Sequence, residues 1–479
     1  MEPDLVLTPR IGGSLRAVLD TPGRLAELVA ALGSPLNVVV PQQLEENAAS
    51  YRAVYGAHRL SGNIFFAHKA NRSSAIVRAL AAGECGIDVA SLGELRHALE
   101  CGFTGDRIMA TGPKDREFLW LAARVDAVVN ADSREELAEL ARLVTDSGLP
   151  RTRVMVRLSA FDSPGVTIAS RRSRFGLHIR ELPSALDLLD RNRDALDLRG
   201  MAYHLDTTGL DEKALALEGC LLAMREAQIR GFTPTAIDIG GGFGVSYLRD
   251  RAEWHRYTTE LGNAVLGTRP PMTWHSHGYG LRAQAGTLRG TLGLYPAHRE
   301  LAGADYLDEL LRRESPSLGR TLATLLLENL YDLHIEPGRS LTDQCGLTLA
   351  LVSEVRTTEE GETLVRVAAN SRDISAEHHA VLMDPVLLPE SAGEPVGVYL
   401  TGNLCLEDDF ITRRKVTLAR TPVPGDLLAF VNTAGYFMDF AADSALMQPV
   451  ARTIAVRPGA DGWTWCLDEQ YWPVEGNRA

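Results

Sequence analysis

Lysine is the scarce cation of this chain, and one lysine stands where covalent chemistry is feasible. Only Lys69, Lys114, Lys213 and Lys415 occur among 49 basic residues; the others are arginine. Lys69 lies in Phe66-Ala67-His68-Lys69-Ala70-Asn71, where an apolar run, 63–67, passes straight into a helical pattern. An amine can lose its proton and attack a carbonyl, whereas a guanidinium in a protein cannot. Lys69 is therefore a candidate for a Schiff base. A second suggestive run, Gly240-Gly241-Gly242-Phe243-Gly244, follows Ile237-Asp238-Ile239. Bare backbone amides can approach an anion closely there, although a lone glycine run more often marks a structural turn. Arg339, in Glu336-Pro337-Gly338-Arg339, could add a fixed positive charge to the same anion.

The elements that must position these residues alternate along the chain. Strand patterns fall at 63–67, 86–90, 107–111, 126–130, 153–159, 199–204, 235–239 and 332–336. Helical periodicity fills most of the intervals, as at 73–81, 92–101, 134–147 and 212–230. Eight βα units predict a closed (β/α)8 barrel, in which chemistry sits at the C-terminal ends of the strands. Those ends carry Lys69, Asp88, His204, the glycine run, and Glu336 with Arg339. The seventh connection, from Val245 to Tyr331, is too long for one helix and predicts an insertion at about 245–330. After Gly338 strand-like runs dominate, at 347–355, 364–369, 395–401, 415–419, 427–431 and 453–457. The expected organisation is an N-terminal segment, 1–45, adding to a C-terminal β domain, 339–479, with the barrel spanning 46–338.

Loops after strands seven and eight are the usual phosphate site of such barrels. A phosphate site and a lysine in one barrel mouth point to pyridoxal 5′-phosphate, which needs a lysine, a phosphate cradle and a partner for its ring nitrogen. Glu336 is placed to be that partner, and His204 to stack on the ring. Asp88 reads equally as a residue near the cofactor or as a helix cap.

The ordered motifs resemble the fold-type III pyridoxal-phosphate decarboxylases, the family of the diaminopimelate, ornithine and arginine decarboxylases. The resemblance rests on 66–71, on Gly86-Ile87-Asp88-Val89-Ala90-Ser91 with Gly93-Glu94-Leu95, and on Ser173-Arg174-Phe175-Gly176-Leu177. It continues through 238–244 with Tyr247, through 336–339, through the loop from Gly402 to Asp409, and at Gly435-Tyr436. It implies a barrel of the alanine racemase type with a C-terminal β-sandwich or β-barrel domain. It also implies Lys69 as the Schiff-base lysine, His204 stacked on the pyridine ring, and Glu336 at the ring nitrogen. Gly240, Gly241, Gly242, Gly338, Arg339 and Tyr436 would hold the phosphate, with Thr207 offering a hydroxyl. Cys405 would return a proton to the carbon that has lost carbon dioxide. In the family that cysteine comes from the partner subunit, so a head-to-tail homodimer with shared sites is expected.

The departures concern the substrate. Where the family often has Gly-Ser after the stacking histidine and one residue, this chain has Asp206-Thr207. Diaminopimelate decarboxylases carry a glutamate directly after the catalytic cysteine; here Leu406 stands there, with Glu407 one place late. Their arginine before a proline is replaced by Met383-Asp384-Pro385. The reading is therefore decarboxylation of a different amino acid, cationic or specialised, with Asp206, Glu407 and Asp408 as substrate contacts. A racemase or epimerase on the same fold, or a catalytically silent regulatory homologue, are the alternatives. Glu336 speaks against the racemase, whose family places an arginine at the ring nitrogen.

Composition bounds the remainder. A net charge of −13 disfavours nucleic-acid and anionic-membrane partners. Apolar runs are too short to span a bilayer, and Met1-Glu2-Pro3-Asp4 lacks a signal-peptide pattern, so a cytoplasmic location is expected. Six scattered cysteines without CxxC spacing predict reduced thiols and no zinc site. His275 and His277, in the insertion, read better as a loop lining the substrate entrance than as metal ligands.

Overall fold

Eight short parallel strands build the first of two units in the computed structural model, which describes residues 5–161, 173–459 and 462–473. Residues 1–4, read above for a signal peptide, lie outside the described residues. The strands are β1 (Phe65–Ala67), β2 (Gly86–Val89), β3 (Ile108–Ala110), β4 (Val128–Ala131), β5 (Thr152–Ser159), β6 (Leu196–Ala202), β7 (Ala236–Asp238) and β8 (Asp332–His334). Each pairs in parallel with its successor. The ring closes between β8 and β1: Phe65 N–H donates to the Ile335 carbonyl at 2.8 Å, and Leu333 N–H to the Ser61 carbonyl at 2.8 Å. The predicted (β/α)8 barrel is present, and its strands fall within a few residues of the expected positions.

Local sequence sets the handover from strand to helix. Ser73 accepts from Ile76 N–H at 3.2 Å, Ser91 from Glu94 N–H at 3.1 Å and Asp115 from Phe118 N–H at 2.8 Å. Each side chain satisfies a helix donor that would otherwise lack a partner, and so starts the helix a few residues beyond its strand. Ser91, not Asp88, caps the helix Leu92–Glu100, so the carboxylate of Asp88 is spared for another task. A buried cluster of Phe65, Met109, Met155, Ala202 and Ala236 draws one residue from each of five strands, as a filled barrel requires.

The second unit comprises residues 1–44, 245–300 and 342–471. Its long strand Gly346–Thr357 pairs antiparallel with Leu36–Val39, Leu427–Val431 and Thr363–Val367. Successive residues of this strand face opposite ways. Leu347 and Leu349 pack with Leu36, Val38, Leu427 and Ile454, whereas Ala350 and Val352 pack with Val365, Val398, Val416 and Leu428. The period of two thus supports an apolar core on each face of the sheet. Strands Val386–Leu388 and Gly462–Leu467 were not anticipated; the first is only three residues long and is flanked by Pro385 and Pro389.

The insertion departs from expectation. Its first part, 245–300, groups with the β unit rather than with the barrel span 46–338, and only 301–341 returns to the barrel unit. The helix Arg251–Val265 buries Trp254, Tyr257 and Leu261 against Leu7, Met272 and Leu382. Isolated bridges Pro9 to Leu248 and Thr273 to Arg414 fasten the same segment. Among the described residues no helix is long and apolar enough to cross a membrane, and no cluster of three or more metal-ligating side chains is found.

One buried ion pair secures this unit. Arg414, fully buried, bonds Asp384, whose second oxygen accepts Leu7 N–H at 2.7 Å. Removing the anion leaves a guanidinium without compensation in a dry site. Asp384→Ala should therefore cost about 3–5 kcal/mol in equilibrium urea unfolding. A loss below ~1 kcal/mol would mean that water reaches Arg414 and the pair contributes only as an exposed one does.

Candidate active site

The C-terminal ends of the barrel strands gather an unusual density of charge. Lys69 is exposed, in the single turn His68–Ala70 that follows β1. Asp88 on β2, Asp238 on β7 and Glu336 after β8 are all buried, Glu336 with 8% of its surface exposed. Burial lifts all three carboxyls above their ordinary range, and mutual repulsion lifts the two aspartates further. Asp88 is pushed up to about 8, by burial first and then by Glu336, against the pull of Lys69 and of the Thr111 hydroxyl, which donates to it at 2.5 Å. The charges of Lys69 and Arg157 draw Glu336 back towards the ionised form.

His204, beyond the end of β6, accepts Gly241 N–H on Nδ1 at 3.2 Å and lies 3.7 Å from Glu336 Oε2. Desolvation, and then the cations Lys69, Arg157 and Lys213, hold its pKa well below the usual histidine range. A neutral ring with Nδ1 as acceptor carries its proton on Nε2.

The glycine run is demanded by space. A Cβ on Gly240 would meet His204 Nδ1 at 2.6 Å, and one on Gly241 the Glu336 carbonyl at 2.6 Å. Gly240 and Gly242 also adopt φ of +64° and +85°, where side chains are strained. Asp238 fixes the start of the turn by accepting Gly240 N–H at 2.7 Å. Gly242 is exposed, and its N–H donates to no protein group among the described residues. A tight glycine loop with an open amide fits a phosphate, and the carboxyls beside Lys69 fit a cationic ring.

The other expected residues divide between the units. Thr207 is half-buried, its hydroxyl accepting Gly209 N–H at 2.9 Å, while Asp206 is exposed. Gly338 and Arg339 follow β8 in the barrel unit. Cys405, Glu407, Asp408 and Tyr436 belong to the β unit. Cys405, Leu406, Glu407 and Asp408 are exposed on one loop. Asp409 builds that loop: it accepts Leu404 N–H at 2.8 Å and Ser371 N–H at 3.0 Å, and a Cβ on Gly402 would strike its carboxylate at 2.1 Å. Tyr436 takes a φ of +76°, uncommon for a bulky residue, and packs against the rings of His379 and Phe440.

Several participants were not anticipated. Asp238 and Arg157 sit within strands, where an isolated charge reads as solvent-facing. His68 Nε2 lies 2.7 Å from His97 Nδ1, and His97 Nε2 lies 3.0 Å from the Ser74 hydroxyl. Burial raises the Glu94 carboxyl, yet the hydrogen bond and charge of His68 outweigh it and leave the group lowered. Spacing along the chain gave no hint of this pairing, because His97 reaches back from the following helix.

Comparison with known proteins supplies the family. Residues 42–272 match the family described as pyridoxal-dependent decarboxylase, pyridoxal binding domain. The chain is 32% identical over 447 residues to the uncharacterized protein y4yA of Sinorhizobium fredii, covering 91% of each. It is 22% identical to the diaminopimelate decarboxylase of Staphylococcus aureus, over 88% of this chain and 89% of that one. The crystal structure of diaminopimelate decarboxylase from M. jannaschii superposes with a TM-score of 0.72 at 19% identity, covering 92% of this chain and 90% of that chain. The Paramecium bursaria Chlorella virus arginine decarboxylase gives 0.67 at 17%, covering 91% and 98%. The chain belongs to the fold-type III pyridoxal-phosphate-dependent amino-acid decarboxylases. Its cofactor is pyridoxal 5′-phosphate.

The raised carboxyl of Asp88 has a measurable consequence. Its folded-state pKa of about 8 lies above the value of ~3.9 for a free aspartate. The unfolded chain therefore gives up this proton first, and the group erodes stability as pH rises between those two values. In cofactor-free protein, Asp88→Asn should raise the melting temperature. The advantage should widen from pH 5 to pH 8 and then level off. A difference independent of pH would show that Asp88 is ionised throughout.

Proposed function

We propose that this enzyme decarboxylates an amino acid with a cationic side chain, and that diaminopimelate is not its substrate. The observation that carries the reaction type is the buried Glu336 beside Lys69 and a neutral His204. When bound, pyridoxal phosphate supplies an aldehyde that condenses with amines and a pyridinium that accepts an electron pair. Lys69 would provide the primary amine that holds the aldehyde. Glu336, whose raised carboxyl Lys69 and Arg157 draw back towards the ionised form, would hold a proton at the ring nitrogen. His204 offers an uncharged face to the ring, so it adds no positive charge to compete with that proton. The Gly240–Gly242 backbone, Thr207, Gly338 and Arg339 would bind the phosphate. As the bond between the α-carbon and the carboxylate breaks and carbon dioxide leaves, the thiol of Cys405 delivers a proton to the α-carbon and is reprotonated from water. By the family resemblance, this cysteine is supplied across a head-to-tail homodimer.

The substrate reading rests on what replaces the diaminopimelate contacts. Leu406 is exposed and cannot read a distal ammonium, and Asp384 is consumed by Arg414 instead of leaving a cation for a distal carboxylate. Asp206, Glu407 and Asp408 are exposed carboxylates suited to a guanidinium or ammonium side chain. Incubation with a panel of L- and D-amino acids, scored for amine by mass, should give its highest kcat/KM with arginine, ornithine or lysine. Lysine formed from diaminopimelate as the leading product would overturn the assignment. Lys69→Ala should lose the visible absorbance of the bound cofactor; an unchanged spectrum removes Lys69 from its role. Cys405→Ala should keep that absorbance but divert product from amine to carbonyl compound, and a normal amine yield would exclude the thiol as proton donor.

A further inference from the structure

Lys213 is fully buried near the start of the helix Leu210–Ile229, with no carboxylate at ion-pair distance among the described residues. Its ammonium donates to the Gly241 carbonyl and lies 5.1 Å from the Phe243 ring centre and 5.5 Å from that of Tyr306. The position offers a positive charge little compensation. The site is dry, its only anionic character is a carbonyl and two ring faces, and the first turn of a helix is itself positive. Burial accordingly lowers the group to about 7. A charge so placed lacks an anion.

The Gly241 carbonyl and the Gly242 N–H belong to one peptide unit. In a planar trans peptide these two bonds point in opposite directions. An ammonium bound to the oxygen therefore holds the N–H facing away from the buried lysine, and it polarises that N–H into a stronger donor. The N–H so aimed belongs to the exposed Gly242 and has no protein acceptor among the described residues. Gly242 also lacks a side chain where one would collide with this lysine: a Cβ there would lie 3.0 Å from Lys213 Nζ.

We propose that Lys213 is a positioning residue for the cofactor phosphate: from behind the glycine loop it fixes and polarises the Gly241–Gly242 peptide and supplies countercharge to the phosphate dianion. This rests on the glycine run being the phosphate site.

The test compares pyridoxal 5′-phosphate with pyridoxal, which lacks the phosphate, by absorbance titration of the apoenzyme. Lys213→Met should weaken pyridoxal phosphate at least tenfold, leave pyridoxal unchanged, and shift the phosphorus-31 resonance of the bound cofactor. Equal weakening of both ligands would mean that the lysine only props up the site, and no change in either would remove it from the site; both results overturn the proposal. If Lys213→Met does not fold, Lys213→Gln, which keeps a donor to the carbonyl but removes the charge, should still weaken pyridoxal phosphate selectively, and no selective loss would overturn the countercharge role. Arg339→Ala separates the two levels of the argument. If it selectively weakens pyridoxal phosphate while Lys213→Met does not, the role of Lys213 alone fails. If neither variant discriminates between the ligands, the phosphate site lies elsewhere.

Discussion

Three carboxyls buried at one end of a barrel are the constraint on which the site depends. Asp88, Asp238 and Glu336 come from strands remote in sequence, and parallel closure brings their ends to one rim. Such a group is tolerable only if it keeps protons or finds cations. Lys69 and Arg157 supply part of the positive charge, and the carboxyls remain raised nonetheless. A protonated pyridine ring is the kind of partner this arrangement favours. Under the proposed reading, binding the cofactor would also relieve this repulsion.

The backbone answers the same demand by different means. The glycine run turns immediately after β7, and Asp238 spends one oxygen on the first amide of that turn. His204 is held by the second, on Nδ1, so one loop orients the imidazole and opens an amide at Gly242. These groups are within a few ångströms of one another, which is why no glycine of the first two positions can carry a side chain. Steric and electrostatic requirements converge on the same five residues.

Much of this was legible before any coordinates. Lys69, the glycine run and Glu336 stand out because each interrupts an apolar strand at its end, where a barrel keeps its chemistry. Asp238 and Arg157 lie inside strands, and no one-dimensional pattern says that such a side chain faces other charges and not water. Lys213 shares the scarcity that singled out Lys69, yet it sits in a helical pattern whose polar positions read as solvated. Only the closed ring, which lays that helix beneath the glycine loop, reveals that it is buried. The fate of 245–300 was hidden for a related reason. An amphipathic helix announces that it has an apolar face but not which core receives it; Leu7 and Leu382, each more than a hundred residues away from Trp254, decide that.

The loop that carries Cys405 shows how a run of similar residues divides between structure and recognition. Four of its residues, Glu407, Asp408, Asp409 and the thiol-bearing Cys405, are the kinds that do chemistry, and composition treats the three carboxylates alike. Asp409 turns inward, caps two backbone amides and occupies the space that Gly402 leaves empty, so its charge is committed to holding the loop. Its two acidic neighbours stay in water together with the thiol. A carboxylate already saturated by amides gains little from a substrate cation, whereas an exposed one loses only water. Under the proposed reading, selectivity for a cationic side chain would fall to Glu407 and Asp408 on this loop.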